Sequence, residues 1–356
     1  MSRLRQILAR ELRELARVNA SNRPWVMPLA AAAASGLPIL IGAAMGEPAS
    51  GLAASLGGMV FLYMPASELS HRMAWLMACA FGLVASHALG VLSNVYEPLT
   101  IPVLAVIAAV VTMICRFYAV PPPGSLFFVM AAAIGAYTPA PGLAAVTQVG
   151  LVSLGCLLAV VIAFVYSLAM LRRLAPVAPP EPVRNFEVVV AEPVLIGAFV
   201  GLSLALAQAL QLERPYWVPV TCVGVIQGAS FRAVWTRQFH RIAGTAVGLL
   251  VFWALTALPL NAWTVAWTIT ALAFAIETLI VRHYGLAVVF ITPLSILLAE
   301  AAQLASATPH VLMQARLVDT VLGCAVGLAG GACLHSTAVR GRVTALLRRV
   351  VPQRVG

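Results

Sequence analysis

Lysine does not occur in this chain, and acid is scarce: all 22 basic residues are arginine, against 12 aspartates and glutamates in 356 residues. Charged side chains make up only 10% of the sequence, where a soluble globular domain carries about 25%. That shortage excludes water as the solvent for most of the chain. Several chemistries are missing too. There is no G-x-x-x-x-G-K-[ST] phosphate loop, no H-E-x-x-H, no G-x-S-x-G and no C-x-x-C. Hydrolysis of ATP by this chain, zinc-peptidase chemistry, serine-hydrolase chemistry and dithiol redox chemistry therefore have no motif behind them. The six cysteines (Cys79, Cys115, Cys156, Cys222, Cys324, Cys333) sit in or beside apolar runs without metal or disulfide spacing, and read as small hydrophobes. The sequence points to no enzyme, no cofactor and no metal.

What remains is apolar: 62% of residues by count, with a mean hydropathy of +0.96. Runs of roughly 20 apolar residues are long enough to cross a bilayer as helices. The expected fold class is an all-α polytopic membrane protein with about twelve transmembrane helices. The spans fall at about 26–45, 49–66, 73–93, 97–115, 124–140, 143–171, 192–211, 216–231, 242–260, 262–281, 285–304 and 316–336, the second and fifth being the weakest.

Arginine placement gives this layout a direction. The even-numbered connections hold Arg72, Arg116, Arg172, Arg173, Arg184, Arg232, Arg237, Arg241 and Arg282; the odd ones hold Arg214, with Arg316 at an edge. Basic residues stay on the cytoplasmic side, so both termini and every even connection are expected in the cytoplasm. An eleven-span layout destroys this regularity. A +10 charge spread between apolar runs and tails fits contact with anionic lipid and topology control, not nucleic acid.

Five regions follow. Residues 1–23 carry six arginines and a helical stripe (Leu4, Ile7, Leu8, Leu12, Leu15, Val18), a basic amphipathic arm on the cytoplasmic surface. Residues 24–173 form a first transmembrane repeat, 174–190 a Pro-rich cytoplasmic linker, 191–336 a second repeat and 337–356 a basic cytoplasmic tail. The repeats are read from three echoes: His-Arg at 71–72 and 240–241, RFYAV at 116–120 and RHYGL at 282–286, and LGC at 154–156 and 322–324. Their offsets stay near 168 residues. Six spans per half make the repeat a parallel one, with His-Arg at the cytoplasmic entrance of the third span of each half.

The densest polar segment is "YWVPVTCVGVIQGASFRAVWTRQFHRIAGTAVG", residues 216–248. With "RHYGLAVVFITPLSI" it resembles the fusaric-acid-resistance-like integral membrane transporters, the aromatic acid exporter group. Tyr216, Trp217, Arg237, Arg241, Gly244, Thr245, Gly248, Tyr284 and Thr292 carry the resemblance, which spans roughly 190–335 and is faint over 25–170. The two large soluble domains of many family members have no counterpart in these 356 residues. The resemblance implies a secondary transporter of the bacterial inner membrane that exports organic carboxylate anions, aromatic ones among the candidates, with proton coupling. The alternatives are a passive anion channel of the malate type and a non-transporting membrane scaffold, and a homodimer is left open.

Site expectations follow from charge and depth. Arg72, Arg116, Arg237, Arg241 and Arg282 are candidates for an electropositive vestibule that gathers anions, set against the plainer reading of snorkelling anchors. Arginine pairs bidentately with carboxylates. Thr245, Tyr284 and Thr292 are expected along the pathway. Glu277, an ionisable group inside a span, is the candidate for proton coupling or a static ion pair. An i, i+3 ion pair between Arg316 and Asp319 and a hydrogen-bonded His87 are the plain readings there. Gly244 and Gly248 suit close helix packing. Pro293 and the run Pro121–Pro123 hint at interrupted helices. Tyr216, Trp217 and Trp263 are expected in an aromatic belt at the membrane surface.

Overall fold

The computed structural model describes residues 18–21, 23–138, 142–170, 175–259, 261–300 and 309–350. The arm expected over 1–23 lies almost wholly outside the described residues. Every regular element described is helical. In chain order these are α1 (Val26–Ala44), α2 (Pro48–Gly57, continued by a 3-10 helix over Gly58–Tyr63), α3 (Leu69–Ser93), α4 (Thr100–Phe117), α5 (Leu126–Ala136) and α6 (Leu143–Met170). After an extended stretch over 175–185 come α7 (Glu192–Ala209), α8 (Trp217–Ile226), α9 (Phe231–Leu255), α10 (Ala262–Leu279), α11 (Tyr284–Glu300), α12 (Pro309–His335) and α13 (Thr337–Val350).

Among the described residues eight helices are long and apolar enough to cross a membrane: α1, α3, α4, α6, α7, α9, α10 and α12. The other four apolar stretches are short. α2 and α8 have 10 residues each, α5 has 11 and α11 has 17. At 1.5 Å per residue, ten residues reach about 15 Å, half of a hydrocarbon core of about 30 Å. Among the described residues helix length alone gives eight spans, and the four shorter apolar elements occupy the positions where the second, fifth, eighth and eleventh spans are expected.

Burial separates the two kinds of helix. The long ones present large apolar side chains outward: Phe81, Leu92, Val106, Leu154, Leu250, Trp253 and Trp267 are all exposed. Such a surface is tolerable in lipid and not in water. By contrast, α8 is buried at nine of its ten positions, and α5 shows no large exposed hydrophobic residue. α5 and α8 are therefore interior. Their ends leave unpaired backbone groups at membrane depth, which lipid cannot satisfy but an internal cavity can.

The packing has a two-sided order. α3 lies on α5 and α9 on α11; α2 lies on α6 and α8 on α12; α4 lies on α7 and α10 on α1. Small residues allow the closest of these approaches. A Cβ on Gly155 of α6 would strike the carbonyl oxygen of Ala54 on α2, and one on Gly323 of α12 would stand 2.6 Å from that of Val218 on α8. Both glycines belong to the repeated LGC triplet. Gly244 and Gly248 pack on α11 as expected, their Cβ positions 2.8 Å and 2.6 Å from the carbonyl oxygens of Gly285 and Val289.

Three expectations need correction here. α9 begins at Phe231, not near 242. Ser230 caps it, its side chain accepting from the Ala233 amide. Arg241 is consequently ten residues into a helix, about 15 Å from its start, whereas Arg72 lies in the first turn of α3. The two His-Arg pairs do not stand at the same position in their helices. α11 is also uninterrupted: it runs through Pro293 as one helix.

Candidate functional site

The short helices surround one large cavity of about 1160 Å³. α2 contributes Leu52 and Leu56, α5 Phe127 and Met130, α8 Trp217 and Val223, α11 Ile291 and Leu294. α2 and α5 come from the first half and α8 and α11 from the second, so the wall is shared. Long helices complete it: α1 with Met27 and Ala31, α4 with Thr112 and Arg116, α9 with Arg237 and Arg241, α10 with Glu277, α12 with Arg316.

Apolar side chains form most of the wall, but its charges are one-sided. Among the described residues six arginines line it (Arg23, Arg116, Arg214, Arg237, Arg241 and Arg316) against a single carboxylate, Glu277. A positive field in an apolar cleft is focused there and concentrates anions. At one end, beside the N-terminus of α1 and the C-terminus of α10, Arg23 pairs with Glu277 at 3.7 Å. At the same end of the bundle Arg116, in the last turn of α4, pairs with Glu192 at 3.5 Å. Glu192 in turn meets Arg340 of α13 at 3.5 Å, and Arg340 also meets Glu187 at 2.8 Å. Near the start of α5, Ser125 Oγ accepts from Thr112 at 2.8 Å and from Gln227 at 2.9 Å.

Further along, Arg241 and Arg316 approach the same face of α8. Arg241 is 5% exposed, and its Nη2 stands 3.4 Å from Thr221 Oγ1 as donor. Arg316 is 4% exposed, and its guanidinium lies 4.0 Å from the centre of the Trp217 ring. Cation–π contact of this kind is stronger when desolvated. Nε of Arg241 and both Nε and Nη1 of Arg316 have no hydrogen-bond partner among the described residues. Asp319, one turn on from Arg316, is 1% exposed, and its Oδ2 likewise lacks a partner there.

The predicted residues divide into three groups. Arg116, Arg237, Arg241, Tyr284 and Glu277 converge on the cavity. Thr245 and Thr292 meet each other, 3.5 Å apart, but in the seam between α9 and α11, where both are 1% exposed; neither belongs to the lining. Arg72 and Arg282 are also outside it. Arg72 is buried and donates to Ser167 Oγ at 2.9 Å and to the Ser67 carbonyl at 2.8 Å, a structural bond between α6 and the loop before α3. Arg282 is exposed past the end of α10, where its carbonyl accepts from the Asn19 amide. His87 is 2% exposed, lines the cavity and has Nδ1 3.1 Å from the Ala131 carbonyl.

Reasoning from sequence did not assign Arg23, Arg214 or Arg316 to the pathway, and misplaced two aromatics. Tyr216 and Trp217 are 9% and 7% exposed and face the cavity, so they form no surface belt; Trp263 is 49% exposed. Arg316 lies inside α12, whose described residues begin at Pro309, and not at the edge of a span. Among the described residues no three His, Cys, Asp or Glu side chains gather as a metal site, and the six cysteines are free.

Comparison with known proteins bears on the second half. Residues 196–330 match the family described as fusaric acid resistance protein-like. The uncharacterized membrane protein YvaC of Bacillus subtilis is 32% identical over 164 residues, 45% of this chain and 26% of that protein. The uncharacterized protein slr1298 of Synechocystis is 30% identical over 134 residues, 37% of this chain and 17% of its own length. A Neisseria gonorrhoeae protein, ORF2, also uncharacterized, is 27% identical over 139 residues, covering 38% and 32% of the two chains. The chain thus spans between about a sixth and a third of these relatives. No solved structure matches it.

Proposed function

Starting from a multi-pass membrane protein whose residues 196–330 are fusaric acid resistance protein-like, we propose that the chain is a secondary transporter of organic carboxylate anions, with the shared cavity as its route. One observation carries this reading: six arginines and one carboxylate line a cavity that is otherwise mostly apolar. The charge imbalance suits an anion, and the apolar wall suits an organic body on it. A carboxylate gains from paired guanidinium donors, while a cation meets repulsion along the same path.

The short helices support the same reading. They are the second and fifth apolar elements of each half, and all four line the cavity. Short helices in matching positions of two repeats are where transporters place substrate. The paired contacts of α3–α5 with α9–α11, α2–α6 with α8–α12 and α4–α7 with α10–α1 fit two parallel repeats. In this reading both termini are cytoplasmic in a bacterial inner membrane, the Arg23–Glu277 end opens inward, and anions leave past Tyr216 and Trp217.

Glu277 is the residue assigned to proton exchange. It is the lining carboxylate, and its partner Arg23 is 38% exposed, so the pair can part without stranding a dry charge. The test is flux of radiolabelled benzoate into proteoliposomes under an imposed pH gradient. Wild-type flux follows the gradient and Glu277→Gln flux does not. Gradient-driven flux unchanged in Glu277→Gln removes the coupling and favours a passive anion channel. Absence of any carboxylate flux in the wild type removes the transport reading and leaves a scaffold.

A further inference from the structure

Arg316 is the most unusual charge in the molecule. It sits inside α12 with its guanidinium over an indole ring, buried to 4% exposure, and two of its three nitrogens lack a partner among the described residues. Arg241 reaches toward the same place from α9. Trp217, beneath Arg316, and Thr221, beside Arg241, are four residues apart on α8. Residues at i and i+4 share a helix face about 6 Å apart along the axis. The two guanidiniums therefore lie one above the other against a single face of α8, close enough to interact electrostatically.

Two buried cations so placed repel each other, and burial sharpens the repulsion. The surrounding charges do not balance them. Among the described residues, the carboxylates within electrostatic reach are Asp319, one turn on from Arg316, and Glu213, which is exposed. Three arginines thus meet two carboxylates, one of them in open solvent. The excess is one positive charge, and Arg214, Arg241 and Arg316 all line the cavity. A single negative group with two oxygen acceptors satisfies both the charge and the spare donors, as a carboxylate does with arginine.

We propose that Arg316 and Arg241, stacked along the Trp217–Thr221 face of α8, form the subsite that holds the carboxylate of the passing anion. The inference rests on the reading of the cavity as an anion route and adds the place where the anion is bound. Trp217 fixes the plane of the Arg316 fork, and the apolar wall of α5 and α11 receives the ligand's body.

The full-length chain in lipid nanodiscs, titrated calorimetrically, tests it. Benzoate and octanoate are the probes; benzyl alcohol and sulfate are the controls. Wild-type protein binds both carboxylates saturably and neither control with comparable strength. Arg316→Gln and Arg241→Gln each weaken carboxylate binding at least tenfold, and Asp319→Asn, which removes a competing negative charge, tightens it several-fold. A merely structural Arg316 has no reason to make Asp319→Asn bind better. Should Arg316→Gln fail to fold, Arg316→Lys and Asp319→Asn decide: the lysine keeps the charge without the fork and binds several-fold more weakly. Binding within twofold of wild type in folded Arg316→Gln, unchanged binding in Asp319→Asn, or equal binding of sulfate overturns the subsite. If such results accompany carboxylate flux in the wild type, the transport reading survives; if the wild type neither binds nor moves either carboxylate, both fall.

Discussion

Substituting Gly323 by alanine probes how tightly the site is held. Gly323 is in α12, two turns beyond Arg316, against α8. An added Cβ would stand 2.6 Å from the Val218 carbonyl oxygen and 2.7 Å from Thr221 Cβ. The first approach falls about 0.8 Å short of the 3.4 Å at which ordinary contact begins. Neither neighbour can rotate away, since one is backbone and the other a side-chain root, so α8 and α12 have to part. Overpacking of this kind costs about 1–3 kcal/mol. For a chain of 356 residues that is a fall in Tm of about 1–4 °C. The displaced helix is the one that carries Trp217 and Thr221, so the stacking of Arg316 on Trp217 loosens as well. Thermal unfolding of purified protein, followed by tryptophan fluorescence, reads the effect. Gly150→Ala is the control, because a Cβ there meets nothing within 4 Å. Gly155→Ala, whose Cβ strikes the Ala54 carbonyl, falls at least as far as Gly323→Ala. A Gly323→Ala protein that melts within 1 °C of wild type would refute the packing argument.

Other expectations are more local. Arg72→Gln loses two hydrogen bonds from a buried charged group, which costs about 1.5–3 kcal/mol each at most; Tm falls, while benzoate flux per folded molecule stays within twofold of wild type. Arg282→Gln, exposed and outside the cavity, changes Tm by no more than about 1 °C, in line with the small effect of surface charges, and unaltered melting of the two variants alike would sink the distinction. Thr292→Val keeps the shape of the α9–α11 seam but gives up the hydroxyl contact with Thr245; folding survives with a loss of about 1 kcal/mol, and carboxylate affinity in nanodiscs is unchanged.

Much of the architecture is legible in hydropathy. The expected spans 26–45, 143–171 and 262–281 end within two residues of α1, α6 and α10. Those stretches are mostly apolar because most of their side chains face the outer surface or apolar neighbours. The sequence misleads where a helix turns a polar face inward. Residues 231–241 contain three arginines, a glutamine and a histidine, which read as an interfacial loop, yet they are the first three turns of α9 because Ser230 caps them and the cavity solvates Arg237. Tyr216 and Trp217 failed for the converse reason: aromatic residues beside a predicted helix end look like a belt, and nothing local tells that the helix they begin is only 10 residues long and interior. The candidate vestibule arginines divide between cavity and helix seam for a related cause. Charge at a helix end is visible in sequence, but whether it turns toward a cavity, as Arg116 does, or toward Ser167, as Arg72 does, depends on which helix packs beside it.

The central claim is that anions travel through the cavity enclosed by the four short helices. Gly224 lies on its wall in α8, and a Cβ there meets only Leu126 Cδ1, at 3.8 Å, so a larger side chain enters the open space without displacing the backbone. Benzoate flux into proteoliposomes of Gly224→Phe, at matched protein and with an unchanged melting profile, is the most direct measurement. The account predicts flux reduced at least tenfold from wild type; flux equal to wild type in the folded variant contradicts it.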